Sequence, residues 1–593
     1  MAHAEPSGPG RIIDEFLLAA ERHPDHPALI GHPGPTGTLT YGQLAVAAGA
    51  AAAVLRAHGV GPGVPVRLRG PVGGPLAAHL LGAWRLGAVV WLDGDGPAAA
   101  AGPTEEVPLL TVSSGRTEET GYSTDRPLPA DLAAALRQLP AHRAEIAAAG
   151  GGYLVRTSGS TGHRKVILGS QSALAAFAAW QRTAYDWSPE DRVPALTGLD
   201  FDVVYRELVT TLTSGATLLC PPPEVAPSRV LGWLAEQGAT VLHVVPSLAR
   251  YWLTAARAAK AAGTPALRAT FFAGEPLDAQ LARRWRAETG PAQQVVNLYG
   301  PSETTLAKFH HRVPADQADG AVPVGRPLPG TLVTVVDPET GAGQPEGAPG
   351  EVVITTPQGS FGYLGDPGPE VAARFRRDAG LVTFRTGDLG VLRPEGLVLL
   401  GRLDSRVKLN GVWVNLHEVE GVLRTHLAVA EAVVVGERTG PALRLGALVV
   451  LREPVDPQAL RTHVLHRLGS PAVPARVVPV DRLPRLATGK TDRTALRRLL
   501  ARTPSGPAEP AAATLEALVR RIGLTAAQLS GTTADPGRDL IDGGLDLTGA
   551  AELCAVLAEE FGVDCSPGDV FAHPDPQELG RLLLTRARPG REG

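Results

Sequence analysis

Between Tyr153 and Lys165 the chain reads YLVRTSGSTGHRK. A short apolar run, Tyr153-Leu154-Val155, can end as a strand. It leads into Thr157, Ser158, Gly159, Ser160, Thr161 and Gly162, with Lys165 just beyond. Side chains this small let backbone N–H groups close around phosphate oxygens. The hydroxyls add donors and the lysine adds charge. Taken singly, the stretch also fits a Ser/Gly-rich surface loop. It is not a Walker loop, because the G-x-x-x-x-G-K-[ST] spacing is absent. Gly489-Lys490-Thr491 does not qualify either, since Pro484 stands where that motif needs its first glycine.

The rest of the composition narrows the class. A chain of 593 residues should hold several domains, about four by length alone. Its net charge of −4 comes from mixed signs, which argues against a nucleic-acid or polybasic membrane surface. The three cysteines, Cys220, Cys554 and Cys565, are scattered without metal-ligand spacing, as suits a reducing cytosol. The first residues lack the apolar core of a secretory signal, and no apolar run reaches bilayer-spanning length. The expectation is a cytoplasmic protein with no membrane partner.

Along the chain, strands and helices alternate in the manner of α/β layers. Helices are expected at Arg11–Arg22, Tyr41–His58 and Pro75–Leu86, and strands at Pro65–Leu68 and Ala88–Leu92. After the glycine loop come a helix at Ser170–Ala184 and the run LTGLDFDVVYREL. In that run Asp200, Asp202, Arg206 and Glu207 interrupt an apolar segment. Charged residues are rarely buried unpaired, so they either line a polar cavity or mark a helix start with surface charges. His243 lies inside the expected strand Ala239–Val245, where a satisfied core or rim histidine is the plainer reading. QVVNLYGPSETT carries Asn297, Tyr299, Gly300, Ser302 and Glu303 at the C-terminal end of a strand, where open α/β sheets bind ligands. Tyr299 offers a flat face for a base and Glu303 a carboxylate for a hard cation. The same residues also read as a helix N-terminus capped by Ser302.

From about 322 the pattern turns to β. Arg385-Thr386-Gly387-Asp388 follows a strand, and Asp388 can accept two hydroxyl hydrogen bonds or serve as a turn aspartate. Residues 401–420 read as a hairpin turning at Asn410-Gly411 and running into a helix. Lys490 lies in a Thr/Gly loop before a helix. A Pro/Ala/Ser linker at 502–513 leads to a helical tail of three or four helices over 514–588.

Taken together, YLVRTSGSTGHRK, NLYGPSET, FRTGDL, GRLDSRVKLNG and LATGKTDR, in that order, resemble the adenylate-forming superfamily, specifically the adenylation domains of nonribosomal peptide synthetases. The resemblance implies an α/β fold. A large adenylate-forming core with β-sheets and a small β-barrel-like part would span 1–403. A swinging α+β lid, hinged at Asp404, would span 404–501, and a small helical-bundle carrier-like domain 514–588. It also implies ATP and Mg²⁺ as cofactors. Thr157, Ser158, Gly159, Ser160, Gly162, Lys165, Asn297, Gly300 and Ser302 would surround the nucleotide. Tyr299 would stack on adenine, and Arg385 and Asp388 would contact phosphate and ribose. Lys490, Glu303, Thr161 and Arg402 form the implied catalytic set. In it Glu303 holds Mg²⁺, Lys490 bridges carboxylate and α-phosphate, and Arg402 occupies a ribose- or hinge-associated position.

The family's substrate pocket maps onto Asp202, Arg206, His243, Phe271, Ala273, Leu298, Leu306 and Ala307. Asp202 matches the position that pairs with an α-ammonium group, so an amino acid substrate is expected. Arg206 is unusual there, and a buried arginine needs an anionic or carbonyl partner. Either the substrate side chain is acidic or strongly polar, or Arg206 pairs with Glu207 or another protein acid. Arg156, Arg164 and Val166 depart from the family around the glycine loop, as do Asn415 and His417 in the lid.

The tail (DLIDGGLDL, AAELCAVLAEEFGVD, DVFAHPDPQELGRLL) resembles a carrier protein, yet Leu547 or Asp546 stands at the phosphopantetheine serine. The implied function is ATP-dependent activation of an amino acid as aminoacyl-AMP with pyrophosphate release. Transfer in trans to a separate carrier thiol or an amine would follow, in specialised-metabolite or antibiotic biosynthesis, with the chain's own carrier domain lacking phosphopantetheine. A small activator protein is a candidate partner. The competing readings are an acyl- or aryl-CoA ligase, against which Asp202 argues, and a non-catalytic scaffold, against which retention of Lys490, Glu303 and Asp388 argues.

Overall fold

The strand Val89–Asp93 is buried at every position, the mark of a strand covered on both faces. It lies inside a seven-stranded sheet and pairs in parallel with Pro65–Arg69 and Gly152–Ser158. The computed structural model describes residues 11–586 apart from 32–36, 95–103, 106–108, 115–119, 125–127, 159–163, 223–224, 227, 259–266, 319, 404–405, 410–411, 440–441, 470–471, 486–491, 503–514, 531–538, 544, 546, 562 and 564. The chain divides into two units, Met1–Arg497 and Arg498–Gly593.

In the first unit, the helices expected from periodicity form with small shifts at their ends: Ile12–Arg22, Tyr41–Ala57, Gly74–Arg85 and Gln171–Ala184. Tyr41–Ala57 starts where it does because Thr40 and Gln43 make a reciprocal capping box, which satisfies orphan N–H groups of the first turn. The glycine-loop segment is longer and more regular than its apolar run suggests. Gly152–Ser158 and Arg164–Ser170 form an antiparallel hairpin pairing Ser158 with Arg164 and Gly152 with Ser170. Gly169 faces Tyr153 across that hairpin, where a Cβ would fall 2.0 Å from the tyrosine ring. Only glycine leaves room for the buried Tyr153.

A second sheet runs Val241–Val244, Ala269–Ala273, Gln294–Tyr299, Phe309–Arg312 and Arg326–Pro327, its first three strands parallel. Its two faces feed different cores. Val241, Ala269, Phe271, Val296 and Leu298 join the large cluster that also holds Val204 and Leu208. Leu242, Val244, Phe272 and Val295 join a second cluster with Trp252 and Trp285. This period-two split sets which side chains can face a ligand.

The third sheet is antiparallel and corrects one expectation. Leu381–Arg393 is a single 13-residue strand, so Arg385-Thr386-Gly387-Asp388 lies within it, not after it, and Asp388 is not a turn aspartate. Against Gly350–Thr356, Arg385 pairs with Val353 while Leu389 pairs with Glu351, a bulge in the long strand. Gly387 at that bulge has φ +73, a conformation open to glycine. Residues beyond 405 build a smaller sheet, Val429–Thr439, Ala442–Leu451 and Arg476–Pro479, with the helices Leu416–Arg424 and Pro457–Leu468 sharing its core. The hairpin expected there forms as Arg406–Leu409 and Val412–Asn415; its turn, Asn410-Gly411, lies outside the described residues, as does Asp404.

Among the described residues, four helices lie wholly within the second unit, Leu515–Ser530, Leu547–Phe561, Pro567–Ala572 and Pro576–Arg586. They bury Leu518, Ile522, Leu553, Leu557, Val570, Leu579 and Leu583 in one core. Among the described residues, no helix is long and apolar enough to cross a membrane.

Candidate active site

Glu303 lies on the single 3₁₀ turn Ser302–Thr304 that follows the Gln294–Tyr299 strand. Pro301 stands at the N-cap and makes no side-chain cap bond, so Ser302 is not a helix cap. The turn is pinned from the neighbouring sheet. Tyr363 Oη donates to Glu303 Oε1 at 2.6 Å, and the Glu303 carbonyl accepts from Ser360 N at 3.2 Å and Oγ at 2.6 Å. Burial pushes the Glu303 carboxyl up, while the Tyr363 hydrogen bond and the charge of Lys165 pull the other way and Asp202 adds to the rise. Those couplings place Lys165, Glu303 and Asp202 in one electrostatic neighbourhood. A buried carboxylate in this setting is completed by a cation. Mg²⁺ takes one or two carboxylates and leaves its other positions to water and phosphate, so Glu303 fits it.

The loop Gly300–Lys308 folds tightly over itself. A Cβ on Gly300 would lie 2.3 Å from the Leu306 carbonyl oxygen, and Thr305 and Leu306 take φ +65 and +54. Inside it Lys308 is fully buried, donating to the Thr305 carbonyl at 2.7 Å and the Ala307 carbonyl at 3.5 Å. Asn297 braces the same region, its Nδ2 donating to the carbonyls of Val322 at 3.3 Å and Pro323 at 2.9 Å. Tyr299 Oη donates to Asp388 Oδ2 at 2.5 Å, and Arg402 Nη1 donates to Asp388 Oδ1 at 3.2 Å. Asp388 and Arg402 are register partners on adjacent strands, so the bulge at Gly387 aims one carboxylate at both. Arg385 does not join this group. It donates to Glu351 at 2.9 and 2.5 Å and to the Pro338 carbonyl at 3.2 Å.

Asp202 precedes the helix Val203–Ser214 and makes no side-chain cap bond. The residues after it are not surface charges. Arg206 is 2% and Glu207 0% exposed. Glu207 accepts from Thr197 N at 3.2 Å and Oγ1 at 2.5 Å. Burial raises its carboxyl to about 8, against the pull of Thr197 and Arg206. His243 pairs in register with Phe271, and Ala273 with Leu298. Phe271, Ala273, Leu298, Leu306 and Ala307 are all buried in the cluster that contains the Val203–Ser214 helix. The structure thus sets His243, Phe271, Ala273 and Leu298 on one sheet face, Asp202 and Arg206 at the start of the helix packed on it, and Leu306 and Ala307 on the loop after the last parallel strand, so the eight positions expected to form the pocket are neighbours.

Gly159, Ser160, Thr161, Gly162 and Lys490 lie outside the described residues, as does the Ser158 side chain. Thr157 is described, opposite Lys165 in the hairpin. Two departures have local partners: Arg156 donates to Asp131 at 2.9 Å, and Asn415 caps the Leu416–Arg424 helix through His417 N at 3.1 Å. Sequence reasoning missed Tyr363, Lys308 and the pair Gln181–Thr210. Only Gln181 carried a signal, standing at helical spacing from the buried Leu174 and Phe177.

Comparison with known proteins decides the family. The AMP-binding enzyme profile matches residues 16–101 and 103–364, its C-terminal domain matches 418–490, and a phosphopantetheine attachment site profile matches 514–583. The chain belongs to the AMP-binding enzyme family. Phosphinothricin tripeptide synthetase PhsB of Streptomyces viridochromogenes is 31% identical over 98% of this chain and 50% of its own length. An L-proline–[L-prolyl-carrier protein] ligase of Streptomyces coelicolor is 34% identical over 60% of this chain and 67% of its own. The crystal structure of a four-domain nonribosomal peptide synthetase bound to AMP and glycine superposes with TM-score 0.69 at 23% identity, covering 97% of this chain and 43% of that one. The chain spans half or less of the first curated relatives it matches. Its architecture is an adenylation domain of the nonribosomal-peptide-synthetase type followed by a carrier-type domain.

Proposed function

We propose that this chain activates an amino acid as its aminoacyl adenylate and passes the acyl group to an acceptor on another molecule. One observation carries the reading: the carboxylate of Asp202, unused by its own helix, lies within Coulombic range of Glu303 and Arg206. An α-ammonium group held at Asp202 puts the substrate carboxylate toward the Glu303 turn. There Mg²⁺ bound at Glu303 would offset the repulsion between two anions as the carboxylate oxygen attacks the α-phosphorus and pyrophosphate leaves. Lys165 and the hydroxyls of 157–161 serve the phosphates, Tyr299 the adenine, and Asp388 with Arg402 the ribose. Lys490 arrives with a lid hinged at Asp404, which swings again for the transfer step.

We read the carrier-type domain as one that cannot hold phosphopantetheine. Its helix Leu547–Phe561 begins at Leu547. The two serines within the matched span, Ser530 and Ser566, stand at the end of one helix and the N-cap of another, where the Ser566 hydroxyl bonds Asp569. The acceptor we propose is a carrier thiol other than this domain's, or an amine.

Hydroxylamine trapping across amino acids and plain acids tests this. Hydroxamate should form with at least one amino acid and with no plain acid. Asp202→Ala should reduce it about 100-fold or more. Efficient hydroxamate from an aryl or fatty acid would contradict the reading and favour a CoA-ligase-type enzyme.

A further inference from the structure

The floor of the substrate pocket carries two polar groups that the protein leaves unused. Arg206 Nε is buried without a hydrogen-bond partner, and so is His243 Nδ1. Glu207, the acid beside Arg206, is hydrogen-bonded to Thr197 and makes no ion pair with the guanidinium, although its charge and that of Asp202 favour it from a distance. Among the described residues, no carboxylate lies within ion-pair distance of Arg206. A buried guanidinium left in this way is strongly disfavoured unless something supplied from outside completes it.

The state of His243 follows from its other nitrogen. Thr210 Oγ1 donates to Gln181 Oε1 at 3.1 Å, which leaves Gln181 Nε2 to donate to His243 Nε2 at 3.1 Å. A ring nitrogen that accepts puts the proton of a neutral imidazole on the other one. Burial and the nearby Arg206 charge keep the ring neutral. His243 Nδ1–H is therefore a donor. The ring lies between Trp187, stacked at 6.1 Å, and Phe271 at 5.2 Å. Arg206 and His243 thus present two donors here, one of them charged.

Resting on the adenylation reading above, we propose that the amino acid activated here carries an anionic oxyacid side chain, bound by Arg206 and by Nδ1–H of His243. Asp202, at the N-cap of the Val203–Ser214 helix, and Arg206 within it lie about one helical turn apart. The substrate thus lies along that helix, its ammonium at Asp202 and its side-chain oxyanion at Arg206. Arginine matches the two oxygens of a carboxylate, phosphonate or sulfonate with paired donors. A side-chain amide turns an N–H group toward Arg206 or His243 in one of its two orientations, and brings no charge in either.

The test is hydroxamate kinetics on the full chain with aspartate, glutamate, 2-aminoadipate, cysteate and O-phosphoserine, against asparagine, glutamine and neutral aliphatic and aromatic amino acids. One anionic member should exceed its own amide or neutral isostere by about 100-fold or more in kcat/KM, as expected where a buried polar site must be matched. Arg206→Met, checked for an intact melting transition, should abolish that preference chiefly through KM. His243→Phe should weaken it without reversing it. A neutral amino acid used better than every anionic one would overturn this inference and leave the adenylation reading standing. Hydroxamate from no amino acid at all would overturn both.

Discussion

Lys308 is fully buried with backbone carbonyls around its ammonium, and burial lowers its pKa from 10.5 to about 7. Between those values the unfolded chain binds the proton that the native chain releases. The contribution of Lys308 to stability therefore rises as pH climbs from about 7 toward 10. Urea midpoints of the wild type and Lys308→Met at pH 7, 8 and 9 should diverge, with the wild type gaining on the variant at each step. Parallel midpoints would show that Lys308 is not desolvated. Tyr363 acts at the same scale. Its hydroxyl holds Glu303 Oε1, so Tyr363→Phe should leave the carboxylate in place but loosely aimed. We expect a loss of about 10–100-fold in activity, of the size seen when a partner of a metal ligand is removed, appearing mainly as weaker dependence on magnesium. Unchanged magnesium dependence would contradict the role given to the pair.

Elements carry the site because their packing leaves them one arrangement. The glycine-loop hairpin keeps its register through Gly169, over which the Tyr153 ring lies. Gly169→Ala should destabilise the protein by about 1–3 kcal/mol through overpacking, read as a lower denaturation midpoint. A neutral result would mean that the hairpin has slack. Thr40→Ala should cost about 1 kcal/mol through the lost capping box. These elements were legible in the sequence where a periodic pattern ran the length of a helix, as in Tyr41–Ala57, or where an apolar run ended at Gly-Pro, as at Gln294–Tyr299. The bulge at Gly387 was not. A glycine within RTGD reads as a turn, and only pairing with the Gly350–Thr356 strand makes it a bulge. Tyr363 was illegible because its partner Glu303 lies 60 residues away, and Lys308 because only the folded Gly300–Lys308 loop buries its ammonium against the carbonyls of Thr305 and Ala307. Arg206 was conspicuous in the sequence, but whether Glu207 neutralised it depended on where the Thr197 loop lay.

At the scale of the whole chain, an adenylation domain and a carrier-type domain follow each other, and the chemistry assigned to them differs. Incubation of the full chain with a phosphopantetheinyl transferase and coenzyme A should leave its intact mass unchanged; a mass gain would contradict the reading of the carrier-type domain. The central claim is that Asp202, Glu303 and the nucleotide-facing residues Tyr299, Asp388 and Arg402 meet around one amino acid and one ATP. Amino-acid-dependent exchange of labelled pyrophosphate into ATP measures that meeting most directly. The account predicts exchange that requires magnesium and an amino acid, and that falls to background in Glu303→Gln while the fold melts normally. Exchange independent of Glu303, or none with any amino acid, would contradict it.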